Sequence, residues 1–252
     1  MKRVAGAAAL VLAAYLATLV ALFPADVAWR MVEARLDLPV AIEPGALTGR
    51  MWNGRAEGLR VDGREIGAIA WHWQPGALLR GRLGLALRWQ ADAERVDARL
   101  RLGRGAAEVA GVRGTLAASR IQSGFDLPLL LEGQLELDVA RIRWTADNGF
   151  EEARGALLWS GAGAGLPRPI PLGQYRAELD AEAGALGVRI ESAPDSMLTA
   201  DGNASWHPAG RYRVDLELRA AADADRNLTA ALDAIARPQP DGSHRLQLEA
   251  GT

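Results

Sequence analysis

Hydrophobic and polar residues alternate along much of the chain, which is the pattern of half-buried β-strands. In the clearest case Leu83, Leu85, Leu87 and Trp89 alternate with small or charged residues. The same alternation occurs at residues 96–102, 135–139, 175–179 and 212–218. Strands that expose one face to water belong to antiparallel sheets. The sequence therefore predicts a mainly β fold whose body is a large antiparallel sheet, curved or groove-like.

Four residue pairs of the kind that suits tight hairpins punctuate these segments. They are Asp62-Gly63, Asn148-Gly149, Asp201-Gly202 and Asp241-Gly242. We expect each pair to form a turn between neighbouring strands.

Two segments allow helices. In residues 25–36 the apolar positions approximate a 3.6-residue period, which predicts a short helix. Residues 228–235 are ambiguous, because Leu228, Leu232 and Ile235 fit a helix and every second residue from Leu228 fits a strand. We favour the strand.

Residues 4–23 form an apolar run of 20 residues without a charge. A helix of that length spans about 30 Å, the thickness of the hydrocarbon core of a bilayer. Lys2 and Arg3 precede the run, which predicts a cytoplasmic N-terminus and a body beyond the membrane. A cleaved signal peptide is the alternative, but its apolar part is usually shorter and ends in a small-x-small site that is missing here. We therefore expect a single N-terminal transmembrane helix within residues 1–25 and a periplasmic β domain at 26–252.

Residues 161–171, which are rich in glycine and proline, predict a loop or linker. If the body has an internal joint, this stretch is where two β subunits would be joined.

Composition excludes much enzyme chemistry. Cysteine is absent, so disulfides, thiolate metal sites and cysteine nucleophiles are excluded. The net charge of −2 argues against a nucleic-acid partner. The three histidines, His72, His207 and His244, show no metal-ligand spacing, and we expect all three to be solvated. We find no catalytic pair, cofactor motif or small-molecule site, so the sequence predicts a protein that is not an enzyme.

Trp71 and Trp73 lie two residues apart and would share one face of a strand. The simpler interpretation is a packed sheet face. The alternative is an exposed surface that docks a partner or a lipid, formed by Trp71, Trp73, Leu83, Leu85, Leu87 and Trp89.

A short motif follows the apolar run and its Leu22-Phe23-Pro24-Ala25 end. The motif consists of Leu47, Gly49, Trp52 and Gly54, and three later residues belong to the same pattern, Trp71, Trp73 and Gly81. This succession resembles the type II secretion system protein N family, most specifically over residues 20–90. The resemblance implies a bitopic component of the bacterial inner membrane with an accessory role and a periplasmic β domain. Other inner-membrane or periplasmic secretion subunits would be its partners, and the motif residues would be structural.

A second hypothesis comes from the sheet itself. An apolar face that includes residues 83–89 and 135–139 would form a groove that carries or senses membrane lipid. An open groove favours this hypothesis, and a filled core opposes it.

Overall fold

The computed structural model describes residues 22–33, 41–125, 130–165, 168–208 and 210–250. Its secondary structure is mainly β, and its strand ladders are antiparallel, as the alternation predicts. The chain divides into two compact units, Met1–Ala93 and Glu94–Thr252.

Unit 1 contains a small antiparallel meander. Strands β3, β4 and β5 pair in chain order, and β1 and β2 both pair with β3. Its elements are α1 (Ala25–Glu33), β1 (Ile42–Glu43), β2 (Ala46–Arg50), β3 (Asn53–Val61), β4 (Arg64–Trp73), a 3₁₀ helix (Pro75–Arg80) and β5 (Leu83–Ala91).

Unit 2 contains a longer antiparallel sheet in which neighbours in the chain pair up to β13, after which the order is β13-β15-β14. Its elements are β6 (Glu94–Gly103), β7 (Ala106–Ala117), α2 (Ala118–Phe125), β8 (Leu130–Thr145), β9 (Gly149–Gly165), β10 (Ile170–Glu182), β11 (Ala185–Ser192), β12 (Leu198–Trp206), β13 (Tyr212–Ala220), α3 (Arg226–Ile235), β14 (Arg237–Pro238) and β15 (His244–Ala250).

The turns explain the short connections. Asp62 and Gly63 both have positive φ (49° and 77°), as a two-residue hairpin turn requires. Turns also lie at Asn148-Gly149 and Asp241-Gly242. The fourth prediction is wrong, because Asp201 and Gly202 lie inside β12 and pair with Glu217 and Leu216 of β13.

The helix predicted after the apolar run is confirmed as α1, and residues 34–36 lie outside the described part. The strand favoured for residues 228–235 is wrong, because that segment is helix α3. The carboxylate of Asp225 caps α3 by accepting from the backbone N–H of Asn227 at 2.7 Å. Leu228 and Leu232, one helical turn apart, are 6% and 2% exposed.

The main buried cluster of unit 2 lies beneath α3. Leu228 and Leu232 belong to one cluster with Leu172, Tyr175 and Leu218 from β10 and β13. The contacts from distant strands favour the helix, since it buries both leucines on one face.

The linker predicted at residues 161–171 is wrong for its first half. Residues 161–165 end strand β9, where Ala164 pairs with Leu131 of β8 and with Ile170 of β10. Ala162 is 2% exposed and belongs to the cluster beneath α3. The small side chains of this segment allow close packing in a strand that has partners on both sides. Local composition alone does not distinguish such a strand from a flexible linker.

The predicted anchor lies almost entirely outside the described residues, which begin at Leu22. Within the part that is described, no helix has the length and apolar character needed to cross a membrane.

Tyr175 links the core to alkaline stability. Its hydroxyl donates to the carbonyl of Leu198 at 2.6 Å, and burial raises the pKa of the phenol to about 12. The unfolded chain would ionise near pH 10, so the folded form retains a proton that the unfolded form loses. We expect the free energy of unfolding to fall between about pH 10 and about pH 12, and Tyr175→Phe to remove this part of the slope.

The measurement is urea unfolding of the detergent-solubilised chain across that pH range. Tyr212→Phe is the control, since Tyr212 is 44% exposed and its loss should leave the parent slope in place. An unchanged slope in Tyr175→Phe would contradict the assignment.

Candidate functional site

The motif residues meet at the β2–β3 hairpin of unit 1. Arg50 pairs with Asn53, which leaves Met51 and Trp52 as a two-residue tip. Gly49 has φ +87°, and a Cβ there would lie 2.6 Å from the carbonyl oxygen of Asn53. Both observations require glycine. Gly49 and Gly54 therefore lie on either side of a tight reversal of the chain.

Gly54 makes room for Trp71. A Cβ on Gly54 would lie 2.5 Å from the indole carbon Cζ2 of Trp71 and 2.8 Å from the carbonyl oxygen of Thr48. The indole therefore crosses the hairpin directly over this glycine. Its Nε1 donates to the carbonyl oxygen of Met51 at 2.8 Å, which fixes the tip to strand β4.

Trp52 and Trp73 form the second contact of the tip. Their rings stack with centroids 3.9 Å apart and an interplanar angle of 13°. The backbone N–H of Trp73 also donates to the carbonyl oxygen of Trp52 at 2.7 Å. The buried Nε1 of Trp73 finds no hydrogen-bond partner among the described residues. This pair extends β4 alongside the hairpin tip.

Leu47 and Gly81 are the remaining two motif positions. Leu47 pairs with Ala56 within the hairpin. Gly81 follows the 3₁₀ helix with φ +65°, a conformation that favours glycine, and open space surrounds its Cβ position. Gly49, Trp52, Gly54, Trp71 and Trp73 therefore build the hairpin tip and its contacts within unit 1.

The proposed docking residues lie on one face of the β4–β5 ladder. Trp71 pairs with Leu87 and Trp73 with Leu85, while Trp89 pairs with Ile69. Leu83 is 36% exposed, and the other five are partly buried. The Nε1 groups of Trp71 and Trp89 donate to backbone carbonyls, that of Trp89 to Ile66 at 2.8 Å. These indoles are committed to contacts within the chain.

One feature of the site was not predicted from the sequence. The backbone N–H of Met51 donates to the carbonyl oxygen of Phe23 at 2.9 Å, and Pro24 forms a β-bridge with Arg50. The hairpin tip is therefore joined to the end of the apolar run. The only local signal is Pro24, which disfavours helical geometry at Phe23 and favours extended backbone.

The histidines are distributed differently from the expectation. His72 is exposed and His207 partly exposed. His244 is only 8% exposed, so its expected solvation is wrong, and its Nε2 lies 2.8 Å from a carboxylate oxygen of Asp233 on α3. This contact fastens β15 to α3. Among the described residues no group of three potential ligands would hold a metal ion.

These features are those of an antiparallel β protein with a structural or binding role. Its motif residues build a hairpin and attach it to residues 23–24. The family model for protein N of the type II secretion system matches residues 40–247. The chain therefore belongs to the type II secretion system protein N family, which confirms the resemblance. Membership indicates a component of the secretion system that has other secretion subunits as partners.

A curated relative gives the same result over nearly the full length. Type II secretion system protein N of Vibrio cholerae serotype O1 is 27% identical over 256 residues, which cover 97% of this chain and 96% of the relative. No solved structure matches the chain.

The hairpin contact yields a mutational prediction. Gly54→Ala would force the Trp71 indole away from the strand and break its hydrogen bond to Met51. Over-packing of this kind destabilises proteins by about 1–3 kcal/mol. Urea unfolding of the detergent-solubilised full chain, followed by tryptophan fluorescence, would measure the loss.

Gly76→Ala is the matched control, because a Cβ on Gly76 meets nothing within 4 Å and no left-handed φ constrains it. We expect its effect to stay within about 0.5 kcal/mol. Equal stability of the two variants would show that the Gly54–Trp71 contact is not tight.

Proposed function

We propose that this protein is a non-enzymatic inner-membrane component of the type II secretion system that contacts other subunits through a periplasmic β domain. The observation that carries the proposal is the junction between residues 23–24 and 50–51. It joins the end of an apolar run of bilayer length to the hairpin that contains the family motif. Lys2 and Arg3 before the run favour a cytoplasmic N-terminus.

The anchor contributes proximity. A domain tethered to the membrane meets neighbouring periplasmic segments at a high effective concentration, so modest contacts suffice for assembly. In this proposal the protein acts by holding its β domain close to its partners and catalyses no reaction.

The outer edge of β15 is the best-supported contact surface. Strand β15 pairs along its length with β13, but β14 covers only His244 and Arg245 on the other side. Among the described residues nothing pairs with the outer edge of residues 246–250. An uncovered edge accepts an extended segment of a partner through backbone hydrogen bonds.

The edge is held firmly in place on the polar face of the sheet. Arg245 donates to both carboxylate oxygens of Asp215 on β13, at 2.9 and 2.7 Å. Hydrogen bonds from Arg245 and Gln247 lower the pKa of Asp215, so this carboxylate stays charged at neutral pH. On the apolar face Leu248 is 47% exposed. A partner strand would find a fixed backbone edge and an apolar side chain.

A photo-crosslinking residue in place of Leu248 tests the edge in cells with a working secretion system. We expect adducts with another secretion subunit. The same residue in place of Glu136, which is exposed on the polar face of interior strand β8, should give none. Equal yields at both positions, or no subunit adduct at Leu248, would contradict the edge proposal.

A second candidate function has an observation of its own. One row of directly paired positions crosses nine strands of unit 2, and each of its members is apolar or glycine and partly exposed. The row is Val96, Gly114, Leu137, Leu157, Ala177, Ile190, Gly202, Leu216 and Leu246. With strands about 4.8 Å apart, such a row extends for about 40 Å, which is longer than the acyl chain of one lipid, since about 30 Å of hydrocarbon spans two leaflets. Leu216 and Leu246 pack against the cluster beneath α3, so it is the part of the row from Val96 to Gly202 that supports binding of a lipid acyl chain.

Neighbouring leucines on β9 test this candidate. Leu157 lies on the apolar row, whereas Leu158 pairs with Glu136 and Arg176 on the other face. Crosslinking from position 157 should give phospholipid adducts in membranes, and crosslinking from position 158 should not. Absence of lipid adducts from both positions would leave the assembly function and remove the lipid function.

A further inference from the structure

The sheet of unit 1 has two chemically different ends. Register places the hairpin tip, the last residue of β4 and the first residues of β5 together, since Asn53 pairs with His72 and Trp73 with Leu85. The opposite end holds the Asp62-Gly63 turn. Strand β4 has 10 residues, which separates the two ends by about 30 Å at about 3.3 Å per residue.

Of the four exposed large apolar side chains described in unit 1, Met31 lies on helix α1 and the other three lie at the hairpin end. Met51 is 43% exposed at the tip, Leu83 is 36% exposed at the start of β5, and Leu22 is 50% exposed just before the Phe23 junction. These residues, with the partly buried Trp52, form what we call the apolar end. At the opposite end the exposed residues include Arg60, Asp62 and Glu65. The sheet is therefore amphipathic along its strands as well as across its faces.

Two exposed arginines border the apolar end. Arg50 precedes the hairpin tip, and Arg82 precedes Leu83. Long arginine side chains beside an apolar surface reach lipid phosphates while their stems stay in the apolar region. Tryptophan is likewise enriched at the level of the headgroups. This mixture of Met, Leu, Trp and Arg has the chemistry of a membrane interface.

The junction holds the apolar end of unit 1 next to the last residue of the apolar run. The N–H of Met51 bonds to the carbonyl of Phe23, the last residue of the 20-residue apolar run. If residues 4–23 cross the bilayer, Phe23 lies at its periplasmic surface. A hydrogen bond of 2.9 Å then holds the hairpin tip at that same surface.

We propose that the apolar end of unit 1 docks on the periplasmic leaflet of the inner membrane, with Met51 and Leu83 among the phospholipids. The strands of unit 1 then point away from the membrane, with the Asp62 turn farthest from it. The inference rests on the anchor in the proposed function and adds a second, interfacial contact that sets the orientation of unit 1.

The absence of cysteine gives a direct test, because single cysteines can be introduced without background labelling. The full chain with Met51→Cys or Leu83→Cys carries an environment-sensitive NBD dye and is reconstituted in vesicles of phosphatidylethanolamine and phosphatidylglycerol. Glu65→Cys, exposed at the opposite end of β4, is the matched control. We expect shorter-wavelength emission, and quenching by nitroxide-labelled phospholipid, at positions 51 and 83 but not at position 65.

Each other outcome overturns the inference in a distinct way. Carbonate extraction of the chain from the vesicles would remove the anchor and the docking together. A retained chain whose dyes at positions 51 and 83 emit like the dye at 65 would leave the anchor and remove the docking. A wavelength shift without nitroxide quenching would assign this end to a protein contact. Two labelled positions keep the test decisive if one variant fails to fold.

Discussion

The sheet of unit 2 depends on the alternation of side chains along antiparallel strands. Each directly paired position shares a face with its partner, so one apolar row continues from Val96 to Leu246 across nine strands. A slip of one residue would turn a whole strand over, and in β8, β10, β11 or β13 it would place a charged residue in this row. The alternation that identifies a single strand also keeps the apolar face continuous across unit 2.

Unit 1 depends on a different constraint, which is the close packing of the Trp71 indole on the backbone of Gly54. Gly54 permits the Trp71 indole to lie across the hairpin, and the indole N–H then holds the carbonyl of Met51. Gly54 and Trp71 therefore form a single contact that requires both residues. Packing explains Gly54 and Trp71, and the hairpin tip that they stabilise lies beside Phe23 and Pro24.

The strands at residues 83–89 and 212–218 were predictable because period two depends only on neighbours in sequence. Helix α3 was not, since its leucines fit both periods and the choice depends on Tyr175 and Leu218, which are distant in the chain. The predictions of a linker at residues 161–165 and of a solvated His244 were wrong for the same reason. The pairing of β9 with β8 and the contact of His244 with Asp233 depend on residues elsewhere in the chain. At the site the sequence identified the seven motif residues, but the Met51–Phe23 bond leaves no periodic signal.

The junction between residues 23–24 and 50–51 has a mechanical consequence. The covalent route from Pro24 to Arg50 runs through α1 and β1, and the bridge bypasses that length of chain. A pull on residues 22–24 would therefore reach β2 directly, before the covalent route between them is drawn tight. Because β2 is hydrogen-bonded to β3 from Ala46 to Arg50, such a load would spread as shear over a ladder. The β2–β3 ladder of unit 1 would then move together with residues 22–24.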